Sequence, residues 1–305
     1  MKILNKKAFS LIELSIVLLI IGIIIAGVTQ SSRLIVQFKV STGKNLTQSG
    51  PVASIKGLSA WYETTLETSF TEAESEDSTL VSTPVTTWYD NNPASSIKHN
   101  ATGSSTTRPL HYANCMSALP CLRFDGTDDI LEFDGTFLVG VDYTIFVVEQ
   151  RRLATALYFL GNNAATTANT GLTFGYSDTS TVTFGHGDNS NLYTVGTSPE
   201  IAAYSAPSPT LHTFVNSTIA QGAATFTHYL NGSATASTKT DVGTPALSTL
   251  TAFGNAAIGT GYDGSAQAYF TGDIGEIIMY TRALKAEERV SVEDYLLKKW
   301  SIRGL

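Results

Sequence analysis

One carboxylate stands in a run of residues that is otherwise apolar: Glu13, in FSLIELSIVLLIIGIIIAGV at positions 9–28. In the middle of a membrane helix such an acid costs about 2.5–3.5 kcal/mol, less near the interface, so it is retained there for a role and with a partner. The chemistry it points to is charge pairing. A cation brought by a neighbouring helix would be held strongly in a low dielectric and would set the register between subunits.

Other reactive groupings are sparser. Asp273-Ile274-Gly275-Glu276 is the nearest approach to a pair of acid/base carboxylates, which glycoside cleavage with retention needs about 5 Å apart. Three positions apart on a strand, the two should point to opposite faces, and the expectation is a turn Asp and a strand-end Glu that hold loop backbone. No Gly-x-Ser-x-Gly elbow accompanies the five scattered histidines, and His186, in Phe184-Gly185-His186-Gly187-Asp188, reads as a turn residue. Cys115 and Cys121, in CMSALPC, could form a local disulfide or half a metal site. With no second pair or nearby histidine cluster, the disulfide is favoured, and closing so short a loop contributes only about 2 kcal/mol. Two stretches could offer oxygen ligands to Ca²⁺: Asp125-Gly126-Thr127-Asp128-Asp129 and Asp188-Asn189-Ser190-Asn191. Asp125, Asp128, Asp188 and Asn189 are the candidate ligands, although turns call for the same residue types.

These groups need elements to position them. Residues 9–28 are long enough to cross a hydrocarbon layer of about 30 Å as a helix. Lys2, Lys6 and Lys7 ahead of them, with no acid, keep the N-terminus cytoplasmic. The run is longer than a signal-peptide core, and Ala26-Gly27-Val28 makes a poor cleavage site, which leaves a plain anchor or a helix built for a bundle. The helix is expected to continue to about Ser49, with Ile35, Phe38 and Thr42 on a less polar face and Arg33, Lys39 and Lys44 on the other, and to stop at Gly50-Pro51. Period-two strands follow at 58–62, 86–88, 121–124, 130–133, 143–148, 156–160, 172–175, 181–184, 211–215, 224–230, 257–259 and 275–280, with Asn231-Gly232 as a tight turn. Many short strands without intervening helices indicate a β-sandwich of jelly-roll type. The acidic, Ser/Thr-rich stretch 67–82 is expected to be a long exposed loop. A closing helix over 282–300 carries Val292, Tyr295, Leu296 and Trp300 on one face, suited to cover a sheet edge or end.

Lys6-Lys7-Ala8-Phe9-Ser10-Leu11-Ile12-Glu13-Leu14 resembles the processing region of type IV pilins and type II secretion pseudopilins. The resemblance covers about thirty residues. It implies that prepilin peptidase cuts between Ala8 and Phe9, that the new amine is methylated, and that Glu13 pairs with that amine on a neighbouring subunit. The family prefers Gly before the cut; here Ala8 stands there. A second resemblance rests on Trp61, Trp88-Tyr89-Asp90-Asn91, Leu122-Arg123-Phe124-Asp125-Gly126-Thr127-Asp128-Asp129, and Gly272-Asp273-Ile274-Gly275-Glu276-Ile277-Ile278-Met279-Tyr280 followed by Arg282-Ala283-Leu284. This order is similar to bacterial laminin G-like, concanavalin A-type domains, which bind sugars or proteins, often hold one Ca²⁺, and in some relatives cleave glycans with a Glu-x-Asp-x-x-Glu set that this chain lacks.

The expected organisation is therefore a leader at 1–8, a pilin-type helix at 9–52 and a laminin G-like sandwich at 53–305, in a mostly β chain with a long N-terminal helix and a short C-terminal one. Removing the three leader lysines from 19 basic residues leaves 16 against 26 acidic ones, a charge of −10, which argues against nucleic acid as a partner. The expected partners are prepilin peptidase, other pilin or pseudopilin subunits, the inner-membrane assembly machinery, and a glycan or surface-protein ligand. The place is the inner membrane before assembly, and a periplasmic pseudopilus or extracellular pilus afterwards. No cofactor beyond Ca²⁺ and no catalysis are expected. The rival readings are a membrane-anchored carbohydrate-active enzyme and a monomeric anchored lectin.

Overall fold

An apolar run without proline, opened by a residue that can accept a hydrogen bond from its own first turn, forms a helix at little cost. In the computed structural model that helix spans Leu11–Ser49, about 58 Å at 1.5 Å per residue. The structure describes residues 10–75, 82–155, 157–162, 170–186, 192–195, 206–217, 225–242, 249–254, 256–262 and 267–305. Ser10 is the N-cap, its Oγ accepting from the Ile12 N–H, and the helix closes at Gly50. From Leu11 to Val28 none of its surface is covered by the rest of the chain. Ile35 and Phe38 are exposed as well, so the less polar stripe faces away from the head. Contact with the head is made instead by Gly43, which lies against Leu119, and by the buried Thr47.

Two antiparallel sheets face each other across one apolar core. The first runs in the order Thr225–Leu230, Thr210–Ser217, Tyr143–Arg151, Thr271–Tyr280, Leu119–Asp125, Leu110–Met116, Thr83–Pro84, with Leu58–Glu63 also paired to Thr271–Tyr280. The second runs Thr240–Val242, Leu192–Val195, Val182–His186, Leu172–Tyr176, Leu157–Asn162, Ala256–Ile258, Leu131–Phe133, Ala101–Thr102, Thr87–Trp88. Ile145, Val147, Phe159, Phe174, Phe214 and Ile277 are among the residues that fill the space between them. This is the expected sandwich.

The first sheet buries its other face too. There Trp61, Leu119, Phe146, Ile278 and Tyr280 meet Val292, Tyr295, Leu296 and Trp300 of the closing helix, Ala286–Trp300. The helix thus covers the face of the sheet rather than an edge or end. That follows from the strand Thr271–Tyr280, which is apolar on both sides along its second half and must be covered twice.

Two further expectations change. Leu110–Met116 is a strand that periodicity misses, because its pairing with Leu119–Asp125 shifts register between Tyr112 and Met116 and the alternation breaks. The stretch 67–75 is not a bare exposed loop. It forms the turn Glu67–Ser69 and the helical turn Glu72–Ser75 around Phe70, which is buried and stacks on Trp88. Glu74, with its carboxylate accepting from Thr71 and the Thr86 N–H, ties that turn down. Positions 76–81 lie outside the described residues.

Candidate functional site

Three places could carry function: the open end of the long helix, its junction with the head, and the aspartate loop. At the open end, Ala8 and Phe9 lie outside the described residues. Glu13 sits in the first helical turn, where its carboxylate accepts the Ser10 N–H at 2.8 Å and completes a capping box. Around it, the window Leu11–Val28, apolar but for Glu13 itself and Ser15, has no residue buried within the chain. Such a surface requires lipid or other helices.

At the junction, the strand Thr271–Tyr280 carries a bulge. Ile274 pairs with Glu149 and Glu276 with Val148, so Gly275 is an extra residue. The bulge reverses the alternation, and Asp273 and Glu276 point to the same face, not to opposite faces as a regular strand would place them; Glu276 lies under the closing helix and Asp273 beside Arg123. Gly275 is required there: a Cβ would lie 2.6 Å from the Met116 methyl and would strike the Trp300 ring.

Neither acid serves as a strand-end loop support. Glu276 Oε1 accepts from Trp61 Nε1 at 2.8 Å and from the Tyr295 hydroxyl at 2.7 Å, while its Oε2 accepts from Trp300 Nε1 and lies 2.9 Å from Lys299 Nζ. Lys299 bridges onward to Glu63 Oε2 at 2.9 Å. Glu63 also accepts from the Thr65 N–H and hydroxyl, the Leu66 N–H and the Ser69 hydroxyl. Lys299, Glu63 and Glu276 have no side-chain exposure. Burial works against the ammonium, but Glu276 and Glu63 overcome it and raise the Lys299 pKa. Burial likewise opposes the Glu63 charge, and Lys299 and Thr65 override it to hold that carboxyl below its ordinary value. The Tyr295 hydroxyl lies 3.2 Å from Thr47 Oγ1, and Thr47 in turn lies 3.3 Å from Thr65 Oγ1. The long helix is thereby wired into the ion network.

Asp273 is equally occupied. Arg123 grips both of its oxygens at 2.6 and 3.1 Å, with Gln150 and Arg152 on Oδ2. The two carboxylates share a face, but every oxygen has a protein donor. Cys115 and Cys121 are joined beside them, Cα–Cα 5.8 Å. As a disulfide they present no thiolate to a metal.

The aspartate loop brings together Asp125, Asp128 and Asp129, each able to place one oxygen within 4.8 Å of the others. Turn chemistry accounts for part of this: Asp125 Oδ1 accepts the Thr127 N–H, Asp129 Oδ2 accepts the Asp125 N–H, and Gly126 has φ +81°. Burial pushes the Asp129 carboxyl up to about 6, with the neighbouring charges of Asp125 and Asp128 adding to the rise. Oxygen donors crowded at the cost of mutual repulsion fit a hard divalent cation. Asp188 and Asn189 lie outside the described residues. His186 is not a turn residue. It ends the strand Val182–His186 pointing inward, its Nε2 2.5 Å from the Tyr143 hydroxyl and 3.1 Å from Asn216 Nδ2.

Fold and site define a class: a concanavalin A-like sandwich carried on a long helix with an apolar, acid-bearing N-terminal half. Residues 3–29 match the prokaryotic N-terminal methylation motif, and residues 147–288 match the concanavalin A-like lectin/glucanases superfamily, so the chain joins a pilin-type N-terminus to a laminin G-like head. Among solved structures, a Trypanosoma rangeli sialidase is similar at 11% identity and TM-score 0.46, over 86% of this chain and 38% of that one. The Ruminococcus gnavus IT-sialidase CBM40 bound to α2,6 sialyllactose is similar at 14% identity and TM-score 0.42, over 57% of this chain and 96% of that one. The NanB sialidase of Streptococcus pneumoniae is similar at 14% identity and TM-score 0.40, over 55% of this chain and 27% of that one. The chain thus spans well under half the length of the two whole sialidases, and likeness of this degree says nothing about what the head binds. No curated protein matches the chain.

Proposed function

We propose that the chain is a pilin-like structural subunit, a type IV pilin or pseudopilin, whose head is displayed for adhesion or ligand capture. Prepilin peptidase removes residues 1–8 in the inner membrane. The freed amine of Phe9 then meets Glu13 of a neighbouring subunit as the helices bundle and leave the membrane. The observation that carries this is the wholly uncovered apolar surface of Leu11–Val28 with a single acid in its first turn, beside a match to the methylation motif. The exposed Leu34, Ile35 and Phe38 extend that surface past the membrane-length window, as packing against sister helices requires. The buried network of Lys299, Glu63, Glu276, Tyr295 and Thr47 fixes the head to the distal end of the helix.

The head acts as a binding domain rather than a catalyst. Support comes from Asp273 and Glu276, the nearest pair to a glycosidase constellation, whose oxygens are all engaged by protein donors. A glycan or a surface protein is its ligand, and Ca²⁺ held by Asp125, Asp128 and Asp129 would stiffen their loop.

The mass of the mature N-terminal peptide tests the first step: N-methyl-Phe9 is expected, and a retained Met1 would leave only an anchored lectin. Glu13→Gln should abolish sedimentable polymer while leaving processing intact. Polymer at the wild-type level would sink the proposed pairing. Cleavage of any glycan by the purified protein, lost on mutating one of its acids, would replace binding by catalysis.

A further inference from the structure

The core between the sheets holds a chain of polar groups that neither display nor assembly uses. Ser237 Oγ lies 3.1 Å from His228 Nδ1, and His228 Nε2 lies 3.0 Å from His212 Nδ1. His212 Nε2 in turn lies 3.2 Å from Glu149 Oε1 and 2.9 Å from the Tyr176 hydroxyl, which donates to Glu149 Oε1 at 2.7 Å. His212, His228 and Glu149 are fully or almost fully buried. Hydrogens can be placed consistently in two ways. With Glu149 ionised they all point towards it, from Ser237 through both imidazoles; with Glu149 protonated they all point away. Both arrangements leave each histidine neutral, with one donor and one acceptor nitrogen in use.

The position of the chain gives it leverage. Thr225–Leu230, which carries His228, is the terminal strand of the first sheet. The segment after it folds back along that edge, where the Ser237 N–H donates to the His228 carbonyl and Lys239 Nζ to the Phe226 carbonyl, before becoming Thr240–Val242 at the edge of the second sheet. The Ser237–His228–His212 contacts therefore fasten the connection between the two sheets to the core.

We propose that this chain is an acid-sensitive latch: the edge of the sandwich stays shut while both histidines are neutral, and acid favours opening because a freed histidine takes a proton it cannot hold inside. Among the described residues the neighbouring cations act in that direction, and Glu149 is the one group that acts against it. Arg151, 4.0 Å over the Tyr176 ring and bonded to the Asp178 carbonyl, repels a second cation beside His212. His212 does the same to His228. Burial is the larger cause for both, lowering His212 to about 3 and His228 well below its ordinary value. Glu149 Oε1 faces His212 Nε2 at 3.2 Å; burial, with Asp273 adding, pushes the carboxyl up to about 7 and outweighs the Tyr176 hydroxyl and Arg151, which favour its charge, so in acid it is neutral and offers His212 no counter-charge. Beyond Phe226 lie Tyr143 and His186, bonded to each other, and, at the edge, Lys239 over Tyr193 with Asp241 nearby. None of these described residues places a free carboxylate against His228.

Linkage gives the size. A histidine that is neutral when closed and ordinary when open raises the opening constant about tenfold per pH unit below about 6.5. Freeing His228 alone then opens the edge about 50-fold more at pH 4.5 than at pH 6.5. An opening that also frees Glu149 loses its proton and cancels one histidine's share.

The test is hydrogen exchange of the full chain in detergent micelles across pH 7 to 4.5, corrected for intrinsic amide rates. Protection in Thr225–Leu230 and positions 231–240 should fall by about 80-fold between pH 7 and 4.5, while Leu119–Asp125 holds. His228→Gln should flatten the dependence. A pH-independent edge, a parallel loss in Leu119–Asp125, or an unchanged slope in His228→Gln would overturn the proposal. If that variant does not fold, ring resonances of the wild-type histidines decide: His212 and His228 still neutral at pH 5 uphold the latch, and a midpoint near 6.5 in the folded protein refutes it.

Discussion

Replacing Lys299 by methionine is the sharpest probe of how the head is held to its helix. Methionine matches the aliphatic length of lysine but leaves Glu63 and Glu276 facing each other without a cation, both with no exposure. Breaking a buried ion pair from one side costs about 3–5 kcal/mol. Each carboxylate keeps other donors here, the Thr65, Leu66 and Ser69 groups on Glu63 and the Trp61, Tyr295 and Trp300 groups on Glu276. The lower end of that range, about 3 kcal/mol at pH 7, is the working value. The pH dependence carries the diagnosis. In the wild type Glu63 is held below its ordinary pKa, so it stabilises the fold above the unfolded value and that contribution fades as pH falls. In the variant the two acids lose their cation and gain a reason to bind a proton, so the penalty should shrink between pH 7 and about 4.5. Urea unfolding in micelles, followed by the fluorescence of Trp61 and Trp300, measures both, because both indoles donate to Glu276. Adding Glu63→Gln and Glu276→Gln to Lys299→Met should recover most of the loss. A penalty under about 1 kcal/mol, or one that does not move with pH, would mean the network does not work as an ion cluster.

Calcium should raise the melting temperature of the head, and by more at pH 7.5 than at pH 5, because Asp129 titrates at about 6 and must lose its proton to ligate. Asp129→Asn should remove most of that shift; a calcium effect equal at both pH values would argue for turn chemistry alone. Cys115→Ser opens a loop with a separation of six residues and should cost about 2 kcal/mol in denaturant melts, an effect that dithiothreitol should reproduce in the wild type. Gly275→Ala would drive a methyl into Met116 and Trp300; a loss of about 1–3 kcal/mol is expected in thermal melts, and a neutral result would show that the bulge can relax.

Much of the molecule was legible beforehand because its signals are local. The apolar length of residues 9–28, the stop at Gly50-Pro51, the period-two strands and the helix face of Val292, Tyr295, Leu296 and Trp300 all follow from side-chain periodicity, and the structure shows each. Phe70 and Glu74 were hidden because a lone aromatic among acids has no period to betray its burial. Leu110–Met116 was hidden because its register shift broke the alternation. The pairing of Lys299 with Glu63 spans 236 positions, and no local pattern links them. Glu276 reads from the sequence only as a strand-end acid.

The sequence by itself determined that a long apolar helix bearing one acid precedes a β-sandwich, since hydrophobic length, period and turn residues act over a few neighbours at a time. Only the tertiary structure decided which faces meet. A single extra residue at Gly275 turned Asp273 and Glu276 to one side, and sheet order brought His212 between Glu149 and His228. Burial then decided what those groups do, because a charge or an imidazole acquires its chemistry from the partners packed around it.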